Sequence, residues 1–211
     1  MKIVAATLGI NDPTIKDDDM CEYAHWNAEM FQKNTGITPF VLEDGLVKYG
    51  IQNDCFFNKV TSIKFLLYDI FPEADRIIYF DSDMRFVRKF NLFDYIPNQP
   101  GFYAVKEKQE AQHLVNEYSL INAYFNNGFF VIDKKYKDLL KYCYDHFHDY
   151  KSKWYDQCIM NQVFNGHVSF VNERLNQREL GHYPNSEILG YHCGHNYGIF
   201  KGFYKEVDWN A

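Results

Sequence analysis

Two aspartates that follow an apolar run are the residues of this chain best suited to bind a metal ion. The run Arg76–Phe80 (RIIYF) leads into Asp81 and Asp83, which are separated by one serine. Side chains two positions apart in an extended segment point the same way, so both carboxylates can reach one cation. Such oxygens suit Mg²⁺ or Mn²⁺, and a metal held by two carboxylates keeps positions open for diphosphate oxygens. Asp-x-Asp also occurs in solvated turns, and a second pair, Asp17 and Asp19, is interpreted as a solvated helix start.

The pattern of apolar residues predicts the elements that would hold these carboxylates. Strand-like runs alternate with segments of helical periodicity, which is typical of a three-layer α/β sandwich with a largely parallel sheet. The most apolar run, Ile77–Phe80, is expected at the centre of the sheet, and ligands of such sheets bind beyond the carboxyl ends of the strands. Strands are predicted at residues 2–8, 38–45, 76–83, 101–107, 128–135, 167–173 and 188–194, and helices at 20–33, 56–71, 136–150 and 156–164.

Composition limits the classes of protein that this chain can belong to. Its 211 residues are 46% hydrophobic and 18% aromatic, which is enough for one sizeable α/β domain with a substantial core. The formal net charge of −6 argues against a nucleic-acid partner, which would require a basic face. No apolar run reaches the ~20 residues that span a bilayer. The five scattered cysteines suit reduced thiols in a cytoplasmic compartment better than a disulfide framework.

Three segments carry motifs longer than Asp-x-Asp. Lys64–Phe86 (KFLLYDIFPEADRIIYFDSDMRF) combines a helix that opens with a basic residue and the pattern P-E-x-D-R-[IV]-[IV]-Y-[FL]-D-[AS]-D. Tyr124–Asp133 reads YFNNGFFVID, and Tyr155–Phe164 reads YDQCIMNQVF. These segments resemble the signature blocks of family 8 glycosyltransferases, the GT-A-fold enzymes of the glycogenin and bacterial galactosyltransferase type. In the third block Cys158 replaces the second acidic residue of the family's D-Q-D pattern.

A fourth block near the carboxyl terminus offers two histidines for one metal position. The family ends its site with H-x-x-G-x-x-K-P-W, and this chain has HCGHNYGIFKGF. Counted from His195, Gly198 falls at plus three and Lys201 at plus six, whereas a count from His192 misses both. The resemblance therefore predicts His195 as the metal ligand. Gly202–Phe203 stand in place of the family's Pro-Trp.

The resemblance implies a metal-dependent enzyme that moves a sugar from a UDP-sugar to a glycan acceptor, with retention of configuration. Asp81 would bridge the ribose and the metal, while Asp83 and His195 would complete the ligands of Mn²⁺, with Mg²⁺ as the other candidate. Lys201 would neutralise the β-phosphate of the leaving group. The positions implied for donor binding are Thr7, Leu8, Lys64, Asp81, Ser82, Asn126, Asn127, Gly198 and Lys201.

The third block supplies the residues implied for catalysis, together with Lys201. Asp156 would hold a hydroxyl of the donor sugar, and Gln157 would lie beneath the anomeric carbon. A neutral amide is a poor nucleophile. Gln157 is therefore expected to stabilise an oxocarbenium-like state while the leaving-group phosphate assists the acceptor.

Two other functions share part of this pattern. A sugar-phosphate nucleotidyltransferase would normally carry a glycine- and lysine-rich phosphate loop after the first strand, where this chain has the acidic TLGINDPTIKDDD. A non-enzymatic, calcium-stabilised carbohydrate-binding module would explain Asp81 and Asp83 but not the spacing of His195 and Lys201. Residues 1–211 are expected to form a single Rossmann-like GT-A domain, either a minimal enzyme or part of a longer protein. The chain as a whole also resembles glycosyltransferases of large algal viruses, which would place it in the host cytoplasm.

Overall fold

A computed structural model describes residues 1–12, 20–51, 55–108, 111, 113–150, 155–178, 183–193 and 208 of the chain. The strands are β1 (Ile3–Leu8), β2 (Pro39–Leu42), β3 (Arg76–Phe80), β4 (Met84–Phe86), β5 (Phe102–Lys106), β6 (Phe125–Asp133), β7 (Val168–Phe170) and β8 (Gly190–His192). The α-helices are α1 (Met20–Thr35), α2 (Phe56–Thr61), α3 (Leu67–Ile70), α4 (His113–Glu117), α5 (Lys137–Asp145) and α6 (Tyr155–Val163). None of the helices in these ranges is long and apolar enough to cross a membrane.

Six strands form the central sheet, in the order β2-β1-β3-β6-β5-β7. Strand β6 is antiparallel to both of its neighbours, and the other pairs are parallel. The predicted fold class, an α/β sheet that is mostly parallel and flanked by helices, is confirmed. Strand β3 lies in the interior of this sheet and is buried along its whole length, as its run of apolar residues predicted.

The core lies on both faces of β3 and β6 because alternate residues of a strand point to opposite sides. Ile77 and Tyr79 belong to the larger apolar cluster, which includes residues of α5 and α6. Ile78 and Phe80 belong to the cluster on the other face, where Phe80 stacks on Phe31 of α1 at 4.7 Å between ring centroids. Layers of helix therefore hold the end of β3 in place from both sides.

A two-stranded ribbon of β4 and β8 carries a histidine to the end of β3. The strands are antiparallel, and Met84 pairs with His192. Helix α1 fixes the ribbon, since Asn34 Nδ2 donates to the carbonyl oxygen of Phe86 at 2.8 Å. Asn27 Nδ2 donates in the same way to the carbonyl oxygen of Ser82.

The helix predicted at residues 56–71 is interrupted. Helix α2 passes into a 3₁₀ turn at Ser62–Leu66 and then into α3, which ends before Pro72. Ser62 explains part of the break, because its Oγ donates to Lys59 O at 2.7 Å and accepts from Ile51 N–H at 2.9 Å. Local side-chain bonds of this kind compete with regular helical ones.

Candidate active site

The two carboxylates predicted to bind metal lie in the turn that joins β3 to β4. Asp81 N–H donates to Gly128 O of β6 at 2.8 Å, and Met84 N–H donates back to Asp81 O at 3.0 Å. This turn brings Asp81 and Asp83 together at the carboxyl end of β3. The side chain of Asp81 is 26% exposed, whereas that of Asp83 is buried. One carboxylate therefore faces the solvent side of the site and the other its interior.

His192 of β8 completes a group of three possible ligands. Its Nε2 lies 3.1 Å from Asp83 Oδ1 and 3.9 Å from Asp81 Oδ2. The ligand atoms of the three residues all lie within 4.8 Å of one another. Burial lowers the pKa of the imidazole, but the charges of Asp83 and Asp81 and a hydrogen bond to Asp83 outweigh burial and raise it. Two carboxylate oxygens and one imidazole nitrogen are a donor set that fits a divalent cation.

The histidine that spacing predicted cannot be compared with His192. His195, Gly198 and Lys201 lie outside the described residues, so their roles stay predictions. Within the described ranges, His192 is the histidine that lies against the two aspartates. His192 pairs with Met84, the residue that follows the Asp-x-Asp turn, and a count of spacing within one motif does not detect this pairing.

Lys64 is buried in the same site, with 1% of its side chain exposed. Its Nζ lies 2.8 Å from Asp156 Oδ2 and 3.3 Å from Asp81 Oδ1. Burial lowers the pKa of Lys64, but the charges of the two aspartates outweigh burial and raise it. Lys64 therefore stays charged and links the first turn of α6 to the end of β3. Tyr79 supports this arrangement by donating its hydroxyl to Asp81 Oδ1 at 2.8 Å.

Asp156 and Gln157 open helix α6 and contact the asparagines of β6. Asn127 Nδ2 donates to Asp156 Oδ2 at 2.7 Å, and Asn127 N–H donates to Gln157 Oε1 at 3.3 Å. A regular strand would send Asn126 and Asn127 to opposite faces. The register between β5 and β6 shifts at Ala104, and this bulge allows both asparagines to reach polar partners in the site.

Asn126 has partners that the sequence did not predict. Its Nδ2 donates to Glu107 Oε2 at 2.6 Å, and its Oδ1 accepts from Gly128 N–H at 2.8 Å and from Asn176 Nδ2 at 2.7 Å. Glu107 follows β5 and is 5% exposed. Burial raises its pKa, but hydrogen bonds from Asn126 and Gln157 and the charge of Arg178 outweigh burial and lower it.

The other predicted donor-binding residues that the structure describes are Thr7, Leu8 and Ser82, and they lie along the same edge of the sheet. Thr7 and Leu8 end β1, which pairs with β3. The Thr7 hydroxyl is buried and makes no hydrogen bond within the described part of the chain. Ser82 is buried between the two aspartates. Among the predicted residues that are described, the structure thus brings Asp81, Asp83, Lys64, Asp156, Gln157, Asn126 and Asn127 into one polar network.

A second group of possible ligands lies on the surface, between α1 and the segment that follows β2. It consists of Cys21, His25 and Glu43. His25 Nε2 and Glu43 Oε1 are 2.7 Å apart, and both side chains are more than half exposed. An exposed hydrogen bond between these two side chains accounts for this geometry.

Comparisons with known proteins agree on a glycosyltransferase. Residues 14–193 match the family described as glycosyl transferase family 8. A sequence comparison with curated proteins gave no match. Among solved structures, the galactosyltransferase LgtC in complex with donor and acceptor sugar analogues is 15% identical, with a TM-score of 0.63 over 98% of this chain and 96% of that one. A glycosyltransferase involved in glycosylation of the major capsid of PBCV-1 is 14% identical, with a TM-score of 0.63 over 97% of this chain and 100% of that one. The chain belongs to glycosyl transferase family 8 and has the GT-A glycosyltransferase fold.

Proposed function

We propose that this glycosyltransferase is metal-dependent and moves a sugar from a UDP-sugar donor to a glycan acceptor with retention of configuration. The observation that carries the proposal is the group of Asp81, Asp83 and His192 beside the buried Lys64–Asp156 pair. A cation site next to a wall of charged and amide side chains is what a diphosphate joined to a sugar requires. Family membership argues against the two alternatives, a nucleotidyltransferase and a carbohydrate-binding module.

Asp81, Asp83 and His192 would hold the metal, which we take to be Mn²⁺ because of the imidazole ligand. His195 stays the alternative third ligand on motif spacing. A bound divalent cation supplies charge that stabilises a departing diphosphate. Lys201 and Gly198 are proposed to contact the same diphosphate, and Thr7, Leu8 and Ser82 the nucleoside.

The donor sugar would lie against Lys64, Asp156 and Asn127. These side chains form a continuous hydrogen-bonded group, so each is held in a fixed orientation before the sugar arrives. Gln157 Oε1 accepts a backbone hydrogen bond, which directs its carbonyl dipole rather than leaving it to rotate. A fixed dipole stabilises developing positive charge at an anomeric carbon better than a mobile one.

Ligand-dependent stability and UDP release test the proposal. We expect UDP with Mn²⁺ to raise the melting temperature, whereas CTP, GTP or Ca²⁺ do not. At a UDP concentration about 100-fold above its Kd the stabilisation is about 2.7 kcal/mol. A panel of UDP-sugars should then show metal-dependent release of UDP by at least one member. A chain that is not stabilised by UDP and Mn²⁺ and hydrolyses none of the donors would contradict the proposal.

A further inference from the structure

A chain of hydrogen bonds connects the carboxylate of Glu107 to the imidazole of His192. Glu107 Oε2 accepts from Asn126 Nδ2 at 2.6 Å, and Asn126 Oδ1 accepts from Asn176 Nδ2 at 2.7 Å. Asn176 Oδ1 lies 3.1 Å from His192 Nδ1. All four residues are buried, with at most 7% exposure. We call this chain, Glu107–Asn126–Asn176–His192, the amide relay.

The direction of the amide relay is fixed at the Glu107 end. An ionised carboxylate only accepts hydrogen bonds, so Asn126 must turn its Nδ2 towards Glu107. The backbone requires the same orientation, because Gly128 N–H donates to Asn126 Oδ1 at 2.8 Å. Asn126 then offers an acceptor to Asn176, which must present its own Nδ2 to Asn126 and its Oδ1 to His192.

The direction of the relay also determines that Nδ1 of His192 is a hydrogen-bond donor. A carbonyl oxygen facing Nδ1 requires Nδ1 to carry hydrogen. In the protein without metal, Nε2 lies 3.1 Å from Asp83 Oδ1 and carries a hydrogen towards that carboxylate. A bound cation would take the place of this hydrogen and leave the ring with Nδ1–H alone. The backbone holds Asn176 beside His192, because His192 N–H donates to O of the next residue, Gln177, at 2.9 Å.

We propose that Glu107 is a positioning residue for the metal centre, which acts through Asn126 and Asn176 to hold His192 in the Nδ1–H tautomer with Nε2 directed at the metal. This inference rests on the proposed function for the identity of the centre as a metal site. The relay itself is a property of the protein without metal. Hydrogen-bond partners of this kind orient metal-binding histidines, and their loss typically weakens metal binding by about 10- to 100-fold.

The surroundings of Glu107 keep its carboxylate ionised. Lys108 N–H donates to Glu107 Oε1 at 3.0 Å, and Arg178 Nη1 lies 3.4 Å from Oε2. A buried charge is costly, and a sequence that needed only a hydrogen bond could use a neutral amide here. A glutamine would not fix the direction of the relay, since it both donates and accepts. The carboxylate of Glu107 therefore fixes the direction of the relay, which the neutral side chain of glutamine would not do.

The same carboxylate also orients the amide proposed to lie at the anomeric carbon. Gln157 Nε2 lies 3.2 Å from Glu107 Oε2, and Gln157 Oε1 accepts from Asn127 N–H at 3.3 Å. Glu107 thus defines which end of two amides, Asn126 and Gln157, faces away from it. The metal histidine and the catalytic amide share one anchoring group.

Glu107→Gln is the variant that tests the relay, with Glu117→Gln on the exposed face of α4 as the matched control. The first measurement is the hydrogen bond from His192 Nδ1–H in metal-free protein, by the exchange rate of this hydrogen in ¹H–¹⁵N spectra of the imidazole. The second is the affinity for Mn²⁺ alone, by the electron paramagnetic resonance signal of the free ion. We expect Nδ1–H to exchange slowly in wild type and the control, and Glu107→Gln to exchange it faster and to bind Mn²⁺ about 10-fold or more weakly.

Asn176→Ala interrupts the relay in the middle and replaces Glu107→Gln in the test if that variant does not fold. It should change both measurements in the same direction. In the double variant Glu107→Gln/Asn176→Asp a carboxylate at residue 176 accepts directly from Nδ1–H, so slow exchange of this hydrogen should return, which a purely structural role for Glu107 would not produce.

Fast exchange of His192 Nδ1–H in wild type, or unchanged exchange and Mn²⁺ affinity in the variants, overturns the inference. If wild type binds no Mn²⁺, the metal part of the proposed function fails. The exchange of Nδ1–H still decides the relay in that case: faster exchange in Glu107→Gln supports the relay, and unchanged exchange overturns it.

Discussion

The acidic side chains at the carboxyl end of β3 give this region an excess of negative charge. Asp81, Asp83 and Asp156 lie within one cluster, which Lys64 and His192 contact in the described part of the chain. Like charges held this close repel one another unless a cation is supplied. The cluster therefore has the electrostatic character of a metal site before any ligand is considered.

Asp83→Asn removes one of these charges without changing the shape of the side chain. We expect Mn²⁺-supported binding of UDP to be lost, and UDP release to fall to no more than a few per cent of wild type. The fold should persist, because Asp83 lies at the rim of the sheet, and the melting temperature of metal-free protein checks this. Calorimetric titration of UDP with and without Mn²⁺ measures the effect, and wild-type affinity in the variant would remove Asp83 from the metal site.

Cys158 shows how one departure from the family pattern is accommodated. Its buried Sγ accepts hydrogen bonds from Tyr124 Oη at 3.0 Å and Tyr118 Oη at 3.7 Å. Burial and the neighbouring thiol raise the pKa of Tyr124, so its hydroxyl stays a donor. A sulfur thus occupies a position where two hydroxyl donors require an acceptor.

Cys158→Ala should destabilise the fold by about 1–3 kcal/mol, since it removes the sulfur acceptor that the buried Tyr124 and the half-buried Tyr118 share. Cys158→Ser keeps an acceptor and should lose less stability. Urea unfolding of the three proteins gives the comparison. Equal stability of the alanine and serine variants would mean that the tyrosine hydroxyls do not depend on this acceptor.

At the scale of elements, β6 is the strand on which the site depends most. It contributes Asn126 and Asn127 through its bulge, and its Gly128 accepts the backbone hydrogen bond of Asp81. Gly128 also lies directly against His192. A Cβ atom built at Gly128 would lie 2.7 Å from His192 Nδ1 and 2.9 Å from Asn126 Oδ1. Residue 128 is glycine because His192, in the ribbon of β4 and β8, occupies the space that a Cβ atom would need.

Gly128→Ala should displace His192 and weaken Mn²⁺ binding by about 10-fold or more, because the imidazole has to move away from Asp83. Gly45→Ala is the matched control, since a Cβ atom there meets nothing within 4 Å. Mn²⁺ affinity and melting temperature are compared for both variants. If the two glycine variants bind Mn²⁺ equally well, the close approach of Gly128 to His192 is not important for the site.

Elements were predicted from sequence where apolar periodicity is strong and missed where it is short. Strand β3 and helix α1 have long, regular patterns, and their positions agree with the structure. Strand β4 has only three residues and was missed, because its pairing with β8 is a contact between segments far apart in sequence. The break in the helix at Ser62 was missed for a different reason, since it arises from one side chain that bonds to the backbone.

Over the whole molecule, the parts of the site that local motifs contain were predicted, and the parts that the fold assembles were not. Asp81 and Asp83 share one motif, and their convergence follows from strand geometry. Glu107 and Asn176 stand alone in their segments and contact the site only because β5 and the segment before β8 converge there. No spacing rule within one segment can identify such residues.

The far end of β3 is fixed by a buried ion pair that is separate from the site. Arg76 is fully buried, and its Nε and Nη2 lie 3.0 Å and 2.9 Å from the two carboxylate oxygens of Asp133 on β6. Arg76 also donates to Gln99 O at 2.8 Å, and Asp133 accepts from Gly101 N–H at 2.6 Å. This pair therefore joins two central strands to the loop that precedes β5.

Arg76→Met should reduce the free energy of unfolding by about 3–5 kcal/mol, because it leaves the buried carboxylate of Asp133 without its cation. The double variant Arg76→Met/Asp133→Leu removes the unpaired charge and should recover a large part of that loss. Because the pair lies at the opposite end of β3 from Asp81, the affinity for Mn²⁺ of the folded protein should stay at the wild-type value in both variants. Urea unfolding and Mn²⁺ titration of the same samples separate the two effects. A double variant as unstable as Arg76→Met would show that the hydrogen bonds to the loop, rather than the charge of Asp133, determine the cost.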